Sequence, residues 1–282
     1  MFTHLHVHTE FSLLDGLSKL EPLVQHAKDL GMNSLAITDH GGMYGAIDFY
    51  RIAKKAGIKP IIGCEMYVAP SSRHSRNPNE KSPYHMTVLA QNWQGYENLV
   101  KMVSRSHLEG YYYKPRIDRE LLEQYSEGII VMSGCPSGEV PKAITNGTMD
   151  KAKETASWYR ELLGDRYFLE LMSHGDVPEL PEINSGIMQL HRELSIPVVA
   201  TNDSHYTKKE EAYLQDLLLC IQTNTNVTDV KRMRMEEDSY FLRSPEEMAA
   251  LWPEVPEAIS NTQRIAEMCN LEFDFTKLRL PL

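Results

Sequence analysis

Cysteine is scarce in this chain. Cys64, Cys135, Cys220 and Cys269 lie far apart and never as Cys-x-x-Cys, which excludes a disulfide framework and a thiolate zinc knuckle alike. Long apolar runs are also missing: none approaches the ~20 residues needed to cross a bilayer. No basic region followed by an apolar one precedes the first strand-like segment, so a secretory leader is not expected and the expected compartment is the cytoplasm. Basic residues are outnumbered, 29 against 39 acidic ones, for a formal net charge of -10. That balance disfavours a free-standing nucleic-acid clamp, whose affinity comes mainly from Lys and Arg on phosphates. Bound divalent cations would offset part of the charge locally.

What is present reads as a globular α/β protein. The chain has 282 residues, 42% of them apolar and 24% charged, enough for one α/β barrel of ~200 to 250 residues and an appendage. Strand-like runs fall at Thr3–Val7, Ser34–Thr38, Pro60–Val68, His85–Ala90, Gly128–Met132, Tyr167–Leu171 and Pro197–Thr201, most of them separated by stretches with helical spacing. Leu20–Leu30, Tyr44–Ala56 and Asp150–Leu163 read as helices stopped by Gly31, Gly57 and Gly164. Such alternation means a barrel or an open sheet.

One connection breaks the rule. Ala69–Pro83 is rich in Ser, Asn and Pro and offers no apolar face for the crossover helix that a parallel return needs. The strand beginning at His85 is therefore predicted to run antiparallel to its predecessor, which brings His85 to the same rim as Glu65. After His205 the pattern turns helical around Glu210–Gln222, Pro245–Leu251 and Pro256–Cys269. The expected division is a barrel over residues 1–206 and a helical appendage over 207–282.

Nine side chains recur near expected strand ends: His6, His8, Asp15, His40, Glu65, His85, Cys135, Asp203 and His205. His6 and His8 are two apart on a strand, so they point to one side and can grip one ion together; Asp203 and His205 repeat that spacing. Imidazole, carboxylate and thiolate suit Zn²⁺, while His and carboxylate alone also accept Mn²⁺ or Fe²⁺. Glu65 and Asp203 are candidates for shared ligands, since one carboxylate spans ions ~3.5–4 Å apart.

Each of these residues has a plainer reading. A histidine near a strand end commonly makes structural hydrogen bonds, and His26, His74, His107, His174 and His191 are placed in that class. His4 shares the strand face of His6 and His8 but stays outside the ligand set. Asp15 can begin a turn before Gly16, Cys135 can be a small buried hydrophobe, and Asp39 fits a hydrogen-bond acceptor behind the ligands. Arg105, Lys114, Arg116 and Arg119 surround Gly110-Tyr111-Tyr112-Tyr113, which reads as a surface for bases and phosphates or as a solvated loop. Lys231-Arg232-Met233-Arg234 has the same ambiguity, blunted by Glu236-Glu237-Asp238.

The motifs His4-Leu5-His6-Val7-His8-Thr9-Glu10-Phe11-Ser12, Thr38-Asp39-His40, Gly63-Cys64-Glu65, Ser133-Gly134-Cys135 and Asn202-Asp203-Ser204-His205 resemble those of the PHP (polymerase and histidinol phosphatase) family. Gln215–Gln222, Tyr240–Met248 and the stretch from Asn261 to Asn270 are similar to the group found at the N-terminus of bacterial replicative DNA polymerase III alpha subunits. The resemblance implies a distorted (β/α)7 barrel with a C-terminal helical appendage leading toward a polymerase core. It also implies three metal positions: His6, His8, Glu65 and Asp203 at one, Glu65, His85 and Cys135 at a second, Asp15, His40 and His205 at the third.

The implied activity is that of a metal-dependent 3′ to 5′ proofreading exonuclease, with His6, His8, Glu65, His85 and Asp203 acting through bound Zn, Mn or Fe. Implied partners are the DNA primer 3′ end, the remainder of the polymerase and, through it, a separate exonuclease subunit and a sliding clamp. Two other readings use the same ligands. One is a small-molecule phosphatase of the histidinol phosphate type, which would lack the Tyr240–Asn270 segment. The other is a catalytically silent module that binds metal for stability.

Overall fold

The computed structural model describes residues 1–13, 15–146 and 148–276. In its first part α1 (Leu20–Asp29), β1 (Ser34–Ile37), α2 (Ala46–Ala56), β2 (Lys59–Val68), β3 (Tyr84–Ala90) and α3 (Trp93–Leu108) follow one another. Next come β4 (Arg116–Ile117), α4 (Arg119–Gln124), β5 (Ile129–Met132), α5 (Glu139–Thr145), α6 (Met149–Leu163), β6 (Tyr167–Leu171), α7 (Leu180–Leu194) and β7 (Val198–Ala200). The chain finishes with α8 (Ala212–Thr223), α9 (Pro245–Leu251) and α10 (Pro256–Met268). The helices form because their apolar residues recur at three- and four-residue steps: α1 buries Leu20, Leu23, Val24 and Ala27.

The strands pair in the order β1-β2-β3-β5-β6-β7, with β4 extending the far end of β2. β1 and β2, β5 and β6, and β6 and β7 are parallel, whereas β3 is antiparallel to both β2 and β5. The reversal expected at His85 is therefore present. Its register sets Tyr67 opposite His85 and Glu65 opposite Thr87.

The opening segment closes the sheet on itself. Ala36 N donates to His4 O and Thr38 N to Val7 O on the β1 side, while His8 N donates to Ser204 O and Ser204 N to His6 O on the β7 side. The result is a curled α/β sheet of the distorted (β/α)7 barrel type. The opening segment is not the regular strand expected over Thr3–Val7. Two of its N–H groups are taken by side chains, Thr3 N by Thr262 Oγ1 and Val7 N by Thr38 Oγ1, and this interrupts the ladder.

Inside the barrel the two-residue repeat of the strands builds layers. Leu5, Ala36, Ile61, Leu89, Ile130, Met132, Phe168 and Val199 form an apolar floor, joined from α10 by Ile265, Ala266 and Cys269. One step along the same strand faces the side chains become polar, with Thr87 after Leu89, Glu170 after Phe168 and Thr201 after Val199, all buried. Outward-facing Val88, Val131, Leu169 and Val198 pack instead with Leu99, Ala156 and Ile187 of the surrounding helices. Each fully buried side chain of this size contributes roughly 1.5–3 kcal/mol, so the apolar layers hold the strands in place and leave the upper end free for polar work.

Gly63, between Ile61 and Glu65, sits where a Cβ would come within 2.6 Å of Leu89 Cδ2 and Val88 O. Only glycine lets β2 and β3 approach so closely there. Beyond β2, the loop from Pro70 to Pro83 has no helix except a single turn at Pro78–Glu80. It is pinned by Arg116, a fully buried side chain that donates to the carbonyls of Ser75 (2.6 Å), Gly110 (3.1 Å), Arg73 (3.2 Å) and Glu80 (3.3 Å). The sequence left Arg116 open between a phosphate-touching surface and a solvated loop; its side chain is neither, being buried with its donors committed to backbone. Arg119 is paired with Glu139 at 2.9 Å, and Arg232 with both oxygens of Asp216.

Candidate metal centre

The barrel architecture explains why residues remote in sequence meet. Parallel strands end at one rim, and the antiparallel β3 begins there, so Glu65, His85, Cys135 and Asp203 arrive together with His6 and His8 of the closing segment. All nine candidate ligands reach this rim. Seven of them form overlapping groups whose donor atoms lie within 4.8 Å of one another: His6, His8 and Asp203; His8, His40 and His205; and His40, Glu65 and His85.

Glu65 is the hub. Its Oε1 lies 3.0 Å from His85 Nδ1, 3.5 Å from His6 Nε2 and 3.6 Å from Cys135 Sγ. Its Oε2 lies 2.6 Å from His40 Nδ1 and 3.5 Å from His8 Nε2. Asp203 Oδ1 is 3.0 Å from His8 Nε2 and 3.3 Å from His6 Nε2, and His40 reaches Asp15 Oδ2 through its other nitrogen at 3.3 Å. The resemblance assigned His40 to the Asp15 side alone, but the ring bridges Asp15 and Glu65. His205 packs its ring 4.3 Å from that of His8 and turns Nδ1 to the carbonyl of Asp203 at 2.8 Å.

The donor set fits cations. His6 Nε2, His8 Nε2, Asp15 Oδ1, His40 Nδ1, Glu65 Oε2 and Asp203 Oδ1 are buried without a well-formed hydrogen bond, most of them facing one another at ion-pair distance, an arrangement that is costly for buried polar atoms. Donors ~2.1 Å from one ion stand about 3.0–3.4 Å apart, close to the spacings found here. Their electrostatics agree. Burial opposes charge on His40, yet Glu65 and Asp15 raise its pKa to about 10. Burial likewise disfavours charge on His6, but Asp203 and Glu170 raise its pKa well above the usual value. His8, buried beside His40 and His205, is pushed down to about 3. Glu65 and Asp203 are held low against their burial, Glu65 by His85 and His40, Asp203 by His6 and His205.

Supports behind the ligands fix their orientation. His6 Nδ1 lies 3.0 Å from Glu170 Oε2, and Glu170 also accepts from Gly134 N (3.0 Å), Thr87 Oγ1 (2.8 Å) and Thr201 Oγ1 (2.8 Å). Glu170 thus fixes one His6 proton on Nδ1, so that with a cation bound Nε2 would be the ligating nitrogen. His8 Nδ1 donates to Ser12 Oγ at 2.9 Å, whose hydroxyl donates to Asp39 at 2.8 Å. Asp39 thus occupies the supporting position expected of it. His4 turns away and bonds the carbonyl of Arg243 at 2.9 Å. Glu170, Thr87 and Thr201 were not singled out from the sequence, although a lone Glu inside Tyr167–Leu171, on the inward face with Phe168, was the available signal.

Backbone strain is concentrated at the same place. Asp203 has φ 44°, a left-handed conformation that costs a non-glycine residue ~1–3 kcal/mol and here aims the carboxylate inward. Gly134 has φ 83°, and a Cβ on it would stand 2.5 Å from His85 O. The centre is partly open to solvent. His6 and His8 are fully buried, whereas the side chains of Asp203, Asp15 and His85 are 15%, 17% and 23% exposed.

The description "PHP domain" belongs to the family model that matches residues 4–174. The chain belongs to this family. The PHP domain is also similar to the N-terminal region of DNA polymerase III subunit alpha. It is 46% identical to that of Treponema pallidum over 100% of this chain, and 44% identical to that of Borreliella burgdorferi over 95% of it. It spans 24% of the length of either relative. A solved structure from Bifidobacterium adolescentis, of a protein assigned as a metal-dependent phosphoesterase, has a TM-score of 0.49 at 16% identity, covering 72% of this chain and 87% of its own. Among the described residues, no helix of this PHP domain is long and apolar enough to cross a membrane.

Proposed function

We propose that this PHP domain is the N-terminal part of a bacterial replicative DNA polymerase alpha subunit and removes nucleotides from a primer 3′ end by metal-dependent hydrolysis. The observation that carries the reading is the convergence of seven donor side chains in overlapping clusters, joined by Asp15 through His40 and by Cys135 through Glu65, with six of the donor atoms buried and without a hydrogen bond. His6, His8, Glu65 and Asp203 would hold one ion, Glu65, His85 and Cys135 a second, and Asp15, His40 and His205 a third, with His40 also facing the second. Bound there, zinc, manganese or iron would polarise a phosphoryl oxygen and lower the pKa of a water.

The protein's own contribution is position. Glu65 divides its two oxygens between the Cys135–His85 side and the His8–His40 side, so it is the shared carboxylate. Glu170 and Asp39 hold His6 and His8 in one tautomer each, which keeps the donors fixed as charge develops on the phosphate. The mixed thiolate, imidazole and carboxylate set favours zinc at the Cys135 position and leaves the Asp15 position open to harder ions.

Release of 3′ nucleotides from a mismatched primer tests the reading. Turnover should stop on chelation, return with added divalent ion and disappear in Asp203→Ala. Hydrolysis of histidinol phosphate without attack on the primer would contradict it. So would an Asp203→Ala variant that melts earlier while the unmodified protein shows no turnover to lose.

A further inference from the structure

Beside the mouth stands a feature that the metal chemistry does not use. The turn Tyr111–Lys114 carries two tyrosines that are 57% and 66% exposed, Tyr111 and Tyr113. Tyr44, on the loop that follows His40, is 63% exposed as well. These rings belong to loops built against the centre. His107 Nε2 donates to the carbonyl of Gly41 (2.9 Å), next to His40, and Pro115 packs where a Cβ on Gly41 would stand.

The turn is rigidly mounted. Tyr112 N donates to Lys114 O at 3.1 Å, and the Tyr112 ring lies under the guanidinium of buried Arg116 at 5.1 Å. Tyr113 packs edge-on to Tyr112 at 4.8 Å and has φ 61°. A left-handed tyrosine is strained where Gly or Asn would not be, and Asp203 is held in the same way. Lys114 places its ammonium 5.2 Å over the ring of Tyr67, which in turn lies 5.1 Å from His85 and 5.9 Å from His40. Among the described residues Lys114 forms no ion pair. From the ligands His40 and His85 the path runs through the Tyr67 ring to the Lys114 ammonium and its neighbour in sequence, the exposed Tyr113.

We propose that Tyr111, Tyr113 and Lys114 form a landing surface for single-stranded nucleic acid, stacking bases just upstream of the phosphodiester at the metal mouth while Lys114 takes a backbone phosphate. The inference rests on the proposed phosphodiesterase reading and adds the residues that would hold the strand. Stacking suits a protein of net charge -10, since it needs a π-face on each base and few cations. Arg116, its donors committed to four carbonyls, offers none to a phosphate. Binding should therefore depend weakly on salt, with a slope near -0.7 for one phosphate contact on a single strand.

Anisotropy of a dye-labelled oligothymidylate with phosphorothioate linkages at its 3′ end reads binding without turnover. Tyr113→Gly removes the ring while keeping the left-handed backbone free of strain. Combined with Tyr111→Ala it should weaken binding about tenfold or more, whereas Tyr113→Phe should retain it. Lys114→Ala should flatten the salt slope. Equal oligonucleotide affinity in the double variant and the unmodified protein would overturn the landing surface, even if primer hydrolysis is found. Loss of affinity in that variant upholds it, even if no hydrolysis is found and the phosphodiesterase reading falls.

Discussion

His6 Nδ1 and Glu170 Oε2 meet at 3.0 Å beneath the candidate metal centre, both side chains fully buried. Glu170 faces no open space and is surrounded by donors, so its task is to set the tautomer of His6 and the direction of Nε2. Glu170→Gln introduces an amide N–H₂ where Gly134, Thr87 and Thr201 already donate. We expect metal affinity to fall about 10–100-fold, read by competition with a chromophoric chelator. Unchanged affinity would remove Glu170 from the account.

The ionisation pattern predicts opposite pH behaviour for metal-free and metal-loaded protein. His40 has its pKa raised from 6.5 to about 10 by Glu65 and Asp15 against its burial. The stability it contributes is fully present below 6.5 and is lost as pH rises toward 10. Glu65 and Asp15, with pKa values held below 4.5 and 3.8, contribute above those values and lose their effect in acid. Metal-free protein should therefore melt highest near pH 6.5, lower in acid, where His8, its pKa pushed down to about 3, stays neutral in the folded protein while unfolded chains protonate, and lower toward pH 10 as the His40 proton is lost. Metal must displace the His40 proton, so the stabilisation gained on loading should grow over that same range. Melting curves with and without chelator check both slopes.

Burial and then the neighbouring Glu65 and Asp203 raise the Cys135 thiol well above its usual pKa, so without metal it is protonated. Zinc should release that proton on binding, visible by calorimetry in buffers of different ionisation enthalpy. Cys135→Ser should weaken zinc more than manganese, because only the softer ion gains from thiolate. Equal losses for both metals would place Cys135 outside the coordination sphere.

Gly134→Ala should damage the protein from the backbone outward. The added Cβ would press on His85 O at 2.5 Å, at a residue with φ 83°. Overpacking of this kind costs ~1–3 kcal/mol and should lower Tm by several degrees. A variant as stable as the parent would show that β5 and β3 have room to separate.

Much of this fold was legible from alternation and punctuation. The runs ending near Ile37, Val68, Met132, Leu171 and Ala200 are short, apolar and bounded by turn formers, and the helix-free loop after Val68 announced the reversed strand at His85. The Thr3–Val7 segment read as a strand because its side chains alternate, but bonds from Thr38 and Thr262 hydroxyls are tertiary events that no local pattern announces. β4 has two residues, too few for periodicity. Arg116 read as open between a phosphate contact and a solvated loop because charge is visible in sequence while the four carbonyls that capture it are not. The candidate ligands stood out because His, Asp, Glu and Cys are conspicuous at strand ends. Glu170, Thr87 and Thr201 did not, since a supporting acceptor is recognisable only once the histidine it supports lies beside it.

The central claim is that nine side chains converge to hold a cluster of divalent ions. An elemental count on protein purified without chelator and dialysed against zinc and manganese tests it most directly. One ion for each ligand group, about three per chain, is the predicted result, falling in Asp203→Ala and His40→Ala. A count near zero, or one indifferent to both substitutions, would contradict it.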